Sequence, residues 1–493
     1  MKLNSPVSSR LAAKFGFLSL LAILLTLPYA VPALWDYAEM RLGFERGYYL
    51  LKPVENQFFY VQFAVMAFAL PYVLWRMLAP PANYVRNSIV MFGLLFIGLQ
   101  LLSAIGARNP EYGFRAYLMP MSCFVMFILI PTFDLNRDDV VKLFIIPVIA
   151  VIPLALYAVA QSQGWEFLPY ARERELVEGG LEQVAGKQLI ASTFGHPNYL
   201  ASYLAPVFFW AFLLTLKRKQ SLQKLIGYAA FVCIIAALLV GGTRGAWLAV
   251  IVGAGLFYTL LTLSPIYRRP LLFFGILAIV LIVAIVAIPN PLVQIHFDIS
   301  QRLFASKEVS SRLYYWLMAL DMLKGQPWLG VGYGHFDIWF WDKVDVFQQQ
   351  PGSGFYQYIL TDIIRGVRPG FVHNDFLQIA AESGLPAVFA WLALWTVIIC
   401  QMWETARRMA SHPDVLLMSA TFLAASVSMA VDGVFNFPHH IPVSRFFFWV
   451  MLGAWVVYRR GIGGELDAVL AARPPEKLLP DIPRIRPRGT AQI

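Results

Sequence analysis

The stretch "RPGFVHNDFLQIAAESGLPAVFAWL", Arg368 to Leu392, decides how the rest of the chain is read. It passes from a Pro-Gly break into an apolar helix, yet its front half carries His373, Asn374, Asp375, Gln378 and Glu382. Asn374, Gln378 and Glu382 are spaced four apart and so share one helical face. Gly384 and Pro386 mark a break before the apolar run resumes. The pattern predicts a short polar helix joined to a membrane helix, with His373 at its beginning. A helix N-terminus offers free N–H groups and a positive dipole end, which suit an anion. His373 is the residue best placed to act as a base near neutral pH. The competing reading is an ordinary polar interface carrying a surface histidine.

The bulk numbers set the context. The chain has 493 residues, 59% hydrophobic and 14% charged, with mean hydropathy +0.62. An average soluble protein is about 25% charged, so this is an all-α polytopic membrane protein. Cys123, Cys233 and Cys400 all lie inside apolar runs and read as small hydrophobes, without a disulfide or zinc framework. The net charge of +10 fits cytoplasmic loops better than nucleic acid, which is not an expected partner.

About twelve spans are expected, near 15–34, 58–78, 88–106, 114–133, 142–161, 197–216, 225–242, 245–263, 271–288, 385–402, 415–432 and 445–459. The first is long enough to span and no cleavage motif clearly closes it. With the N-terminus inside, every even-numbered connection is basic: Arg76 and Arg86, Arg137 and Lys142, "KRKQSLQK" (217–224), Arg268 and Arg269, and Arg407 and Arg408. That pattern obeys the positive-inside rule and puts both termini in the cytoplasm. The division is helices over 1–288 with a shorter outer loop near 162–196, a large outer loop over 289–383, helices over 384–460, and a basic tail over 461–493. The tail is Pro- and Arg-rich and reads as disordered. A structureless loop as long as the large one is improbable. It holds one clear helix, "SSRLYYWLMALDML" (310–323), which Ser310 or Ser311 can cap. The following "GQPWLGVGYGHFDIWFW" gives turns and an aromatic surface suited to a membrane interface.

Other polar groups fall on the same outer side. "GGTRGAW" (241–247) is a tight turn with Arg244 at its tip, where an Arg either finds a partner or snorkels. Arg312 lies on the loop helix, and Arg365 and Arg368 just before the opening stretch. "STFGHPNYLASYL" (192–204) puts His196 and Asn198 at a helix mouth, with Pro197 in the first turn. "VDGVFNFPHHIP" (431–442) puts Asp432 at the end of a span and His439 and His440 in a short loop. The His-His pair lacks further ligand spacing and is not read as a metal site. Two arginines and a histidine facing a lipid-bounded cavity would suit a lipid diphosphate. Arg holds phosphate with a planar fork and could neutralise a diphosphate leaving group without a metal or other cofactor.

These motifs carry a resemblance. "FVHNDFLQIAAESGLPA" resembles the His-Asn-x-x-Leu-x-x-x-x-Glu-x-Gly signature of bacterial O-antigen ligases and O-antigen polymerases. "GGTRGAW" resembles their Thr/Ser-Arg-Gly-x-Trp motif, and "SSRLYYW" with "PWLGVGYGHF" the start of their large periplasmic loop. The resemblance implies a GT-C-like enzyme of the bacterial inner membrane, active on its periplasmic face. It would transfer a glycan from undecaprenyl diphosphate to an acceptor hydroxyl, with inversion. Ligases use lipid A–core as acceptor, and polymerases extend a lipid-linked glycan. The resemblance implies that Arg244 and Arg312 bind the diphosphate and His373 deprotonates or orients the hydroxyl. Asp432 matches a family acidic residue, and His196, Asn374, Glu382, Arg365 and Arg368 are secondary candidates. A protein O-oligosaccharyltransferase commonly carries more chain after the last spans. A flippase would spread charge through the depth of its spans.

Overall fold

A computed structural model describes residues 6–29, 60–65, 67, 87–165, 190–217, 221–269, 271–272, 275, 306–340 and 371–472. The described residues are helical, with no strand among them. The helices are α1 (Pro6–Thr26), α2 (Ser88–Ile105), α3 (Pro110–Leu129), α4 (Arg137–Ser162), α5 (Pro197–Leu216) and α6 (Ser221–Gly241). They continue with α7 (Arg244–Leu261), α8 (Ser306–Gly325), α9 (Asp375–Arg408), α10 (Pro413–Phe435), α11 (Pro442–Gly461) and α12 (Gly463–Ala472). Eight of the described helices are long and apolar enough to cross a membrane. The reason for an all-helical solution is physical: within hydrocarbon a helix satisfies its own backbone. The runs expected near 58–78 and 271–288 lie largely outside the described residues, as do Arg365 and Arg368.

Helix ends follow their sequence signals. Asn87 and Asn109 accept from Ile89 N and Tyr112 N, and Asn136 forms a full capping box with Asp139. These are side-chain caps for otherwise unpaired N–H groups. The core is aromatic and tightly set: Phe144 stacks on Trp210 at 3.5 Å, and Phe422 meets both edge to face. α5 is buried almost throughout and packs on α6, α7 and α10, while α9 packs on α2, α8 and α10.

Two expectations are corrected here. The loop helix begins at Ser306, so Ser310 and Ser311 lie inside it rather than capping it. The "GQPWLGVGYGHFDIWFW" segment is not mainly an interfacial surface. Val331, Tyr333, His335, Phe336 and Phe340 are all buried, and of its described large side chains Trp328 is the most exposed.

That burial is caused by the break in α9. Gly384 has φ 76 and ψ 178, a conformation that costs an L side chain dearly. Pro386 has no N–H to give to the carbonyl of Glu382. The freed groups are taken up by the 327–332 turn. Leu385 N donates to Pro327 O at 2.8 Å, Val331 N to Ala381 O at 2.8 Å, and Gly332 N to Glu382 O at 3.1 Å. Ser103 Oγ of α2 donates to Glu382 O at 2.6 Å. The break is therefore a docking joint, stitched by hydrogen bonds that helix interruption makes available.

Candidate functional site

Five elements deliver polar side chains to one end of the helix bundle. α5 begins there with His196 as its N-cap, whose Nδ1 accepts from Asn198 N at 3.1 Å. Pro197 stands at the first helical position. Asn198 is tied to the next element, since Thr243 Oγ1 donates to its Oδ1 at 3.4 Å.

The α6–α7 turn is built by its glycines and tryptophan. Gly242 has φ 65, and Thr243 is the N-cap of α7. The Trp247 indole donates back to Leu238 O at 2.8 Å, closing the turn. Arg244 opens α7 and is exposed. At the next residue, Gly245, an added Cβ would lie 2.9 Å from Phe435 Cβ, 3.1 Å from Asn436 Nδ2 and 3.7 Å from Asp432 Oδ1. A side chain here would press on Phe435, so glycine lets the start of α7 lie against the end of α10 that carries Asp432.

Asp432 is fully buried in the last turns of α10. Its Oδ1 accepts from Asn436 Nδ2 at 2.6 Å, and its Oδ2 from Ser202 Oγ. Arg312 of α8 is half-buried and donates from Nη1 to Phe435 O at 3.3 Å, a cation at a helix C-terminus where the dipole favours it. Arg312 also lies within electrostatic reach of Asp432 and His373.

His373 precedes α9 in the left-handed region, with φ 57. It packs edge-on to Phe437 at 4.9 Å and parallel to Tyr315 of α8 at 6.1 Å. Its Nδ1 is shut from solvent without a hydrogen-bond partner among the described residues. Burial, with Arg312 and then His196 nearby, pushes its pKa from 6.5 down to about 3. The ring is thus neutral at physiological pH, and the same shift makes it a weaker proton acceptor than an ordinary imidazole, since a general base works best near the operating pH.

The polar stripe that follows turns inward. Asn374 caps α9 through Leu377 N at 3.0 Å and donates to Val434 O of α10 at 2.9 Å. Gln378 Oε1 accepts from Val372 N at 2.6 Å and its amide donates to Glu382 Oε1 at 2.8 Å. Glu382 also accepts from Phe336 N at 3.3 Å. Asn374, Gln378 and Glu382 are all buried, so the stripe is an internal strut and not the lip of an open cavity.

Three residues stand out that the sequence pattern did not single out as a group. Asp375 is buried to 1% exposure. Its two oxygens accept from His439 Nδ1 at 2.6 Å and His440 Nδ1 at 2.7 Å. His439 N adds a third bond at 3.2 Å. The His-His dipeptide was the available signal, but its partner lies 64 residues upstream. Among the described residues no set of His, Cys, Asp and Glu is arranged to hold a metal ion.

His196, Arg244, Arg312, His373 and Asp432 therefore converge, through contacts and electrostatic reach, at one end of an all-α polytopic membrane protein. Residues 229–392 match the family model described as O-Antigen ligase. That match covers about a third of the chain and supports an O-antigen ligase or polymerase-type membrane glycosyltransferase. The matched region includes Arg244, Arg312 and His373, whereas His196, Asp432, His439 and His440 lie outside it. No curated protein matches the chain.

Proposed function

We propose that the protein transfers a glycan from undecaprenyl diphosphate to an acceptor hydroxyl, at the periplasmic face of the bacterial inner membrane. The observation that carries this reading is His373 set within reach of Arg312, with the Arg244 end of α7 packed against the end of α10. Arg244 and Arg312 bind the donor diphosphate. Each guanidinium offers a fork of donors that matches phosphate oxygens. As the glycosidic C–O bond breaks, charge grows on the diphosphate, and fixed cations stabilise it most at that moment.

His373 is the base. Its ring is neutral, so it accepts the proton of the acceptor hydroxyl as oxygen attacks the anomeric carbon. Attack opposite the leaving group inverts that centre. Nδ1 is sealed among aromatic rings, so the hydroxyl meets the ring at Nε2, and base action there requires the tautomer that carries its proton on Nδ1. Asp432 orients the Arg ends around it through charge. His196, whose Nδ1 accepts its cap bond, is a further polar neighbour of the same cluster. Asn374 and Glu382 serve as struts, consistent with their inward bonds. Arg365 and Arg368 remain candidates for the diphosphate on sequence position alone.

The acceptor favoured is lipid A–core, since the matching family is described as a ligase. Reconstitution with a lipid-linked glycan donor tests it, offering lipid A–core and a second lipid-linked glycan in competition. A product on lipid A–core supports the ligase. Extension of the lipid-linked glycan makes the protein a polymerase.

A further inference from the structure

Asp375 is two residues from His373, and its surroundings are too elaborate for a helix-start carboxylate. An ionised carboxylate removed from water needs several donors. It receives three here, two from imidazoles and one from a backbone N–H. The first turn of α9 adds its dipole. On the far side the end of α10 closes in: a Cβ at Gly433 would sit 3.0 Å from Asp375 Oδ2.

The histidines are held in turn. Arg445 of α11 donates from Nε to His439 O. Trp391 meets His439 edge to face at 4.7 Å, and Phe448 does so at 4.6 Å. Both imidazoles have Nε2 shut from solvent, without a hydrogen-bond partner among the described residues. The neutral tautomer protonated at Nδ1 suits this arrangement. It donates to Asp375 and leaves no unpaired N–H, which would be costly when buried. Burial holds His440 below its ordinary value despite the bond to Asp375.

The loop pinned in this way also carries Phe437, which is 1% exposed. Phe437 packs edge-on to His373, stacks on Phe371 at 4.5 Å and meets Tyr199 of α5 at 5.4 Å. One carboxylate therefore joins the turn bearing His373 to the loop forming its wall.

We propose that Asp375 is a positioning residue, clamped by His439 and His440, that holds His373 and Phe437 in the geometry needed for glycosyl transfer. This rests on His373 being the base. The clamp passes no proton to substrate. It acts by fixing a left-handed residue whose displacement by about 1 Å would cost about a hundredfold in rate.

The test uses the full-length protein in lipid nanodiscs with a lipid-linked glycan donor. It compares wild type, His373→Ala, the double variant His439→Ala/His440→Ala, and the double variant His439→Asn/His440→Asn. An Asn amide can place an N–H where the imidazole Nδ1–H stands. The double-Ala protein is expected to lose at least about tenfold in kcat with donor KM within about twofold, the signature of lost positioning rather than lost binding. The double-Asn protein is expected to stay within about threefold of wild type, since its amides preserve the donors. Wild-type kcat in the double-Ala protein overturns the clamp. So does a double-Asn protein with wild-type thermal unfolding but no more activity than the double-Ala form, because that result means proton relay. If the double-Ala chain fails to fold, the double-Asn result decides by itself. Full activity in His373→Ala removes the base instead, and so separates failure of that reading from failure of the clamp.

Discussion

At the scale of single residues, the chemistry rests on His373 being neutral and Arg244 being a fork. His373→Ala is expected to lower transfer by about 10²–10⁴-fold, the usual contribution of a general base, with membrane insertion intact. Single-turnover transfer from purified donor measures it, and wild-type turnover would sink the assignment. Arg244→Lys keeps the charge and loses the planar fork, so it too should be impaired. Equal activity would reduce Arg244 to a point charge. The pH dependence has a definite sign. Since the folded-state pKa of His373 is about 3 against 6.5 ordinarily, its protonation does not limit the rate as pH falls through 6.5. The unfolded chain binds this proton first, so stability falls with falling pH across the window from 6.5 to about 3. Replacing His373 with Asn should flatten that part of the stability profile, measured by thermal unfolding in detergent at stepped pH.

At the scale of elements, the break in α9 is the joint on which the site depends. Gly384 combines φ 76 with a would-be Cβ 2.4 Å from Trp328 O, and backbone cannot yield there as a flexible side chain could. Gly384→Ala is expected to cost at least about 1–3 kcal/mol, read as a lowered unfolding temperature and lost transfer. An unchanged unfolding temperature would show that the joint can open without penalty. Pro386→Ala should be milder. It restores an N–H that competes with Ser103 and Gly332 for Glu382 O, without introducing a clash. The polar stripe Asn374–Gln378–Glu382 was readable as one helical face from its spacing. Its inward direction was not, because the turn that covers it lies about fifty residues earlier in the chain.

At the scale of the whole molecule, the approach of α7 to α5 and α10 sets where Arg244 stands. Gly253, midway along α7, makes this possible. A Cβ there would lie 2.6 Å from Phe209 Cζ and 3.0 Å from Ala424 O. Small residues permit such close packing between membrane helices, where dispersion and fit replace the hydrophobic drive. Gly253→Leu is expected to push α7 outward, lowering both the unfolding temperature and transfer. Wild-type transfer in that variant would mean that the Arg244 end is positioned by its own turn alone.

The sequence by itself determined the all-helical membrane class, because runs of about twenty apolar residues can satisfy their backbone in lipid only as helices. It also determined the local devices, which act within a few residues: the Gly242 turn, the Pro197 helix start and the Gly384–Pro386 break. Tertiary structure alone decided that Asp375 meets His439 and His440, that Phe437 walls His373, and that α7 lies against Phe435 at Gly245. A buried carboxylate demands hydrogen-bond donors, but which donors reach it depends on how helices far apart in sequence pack, and no local periodicity encodes that.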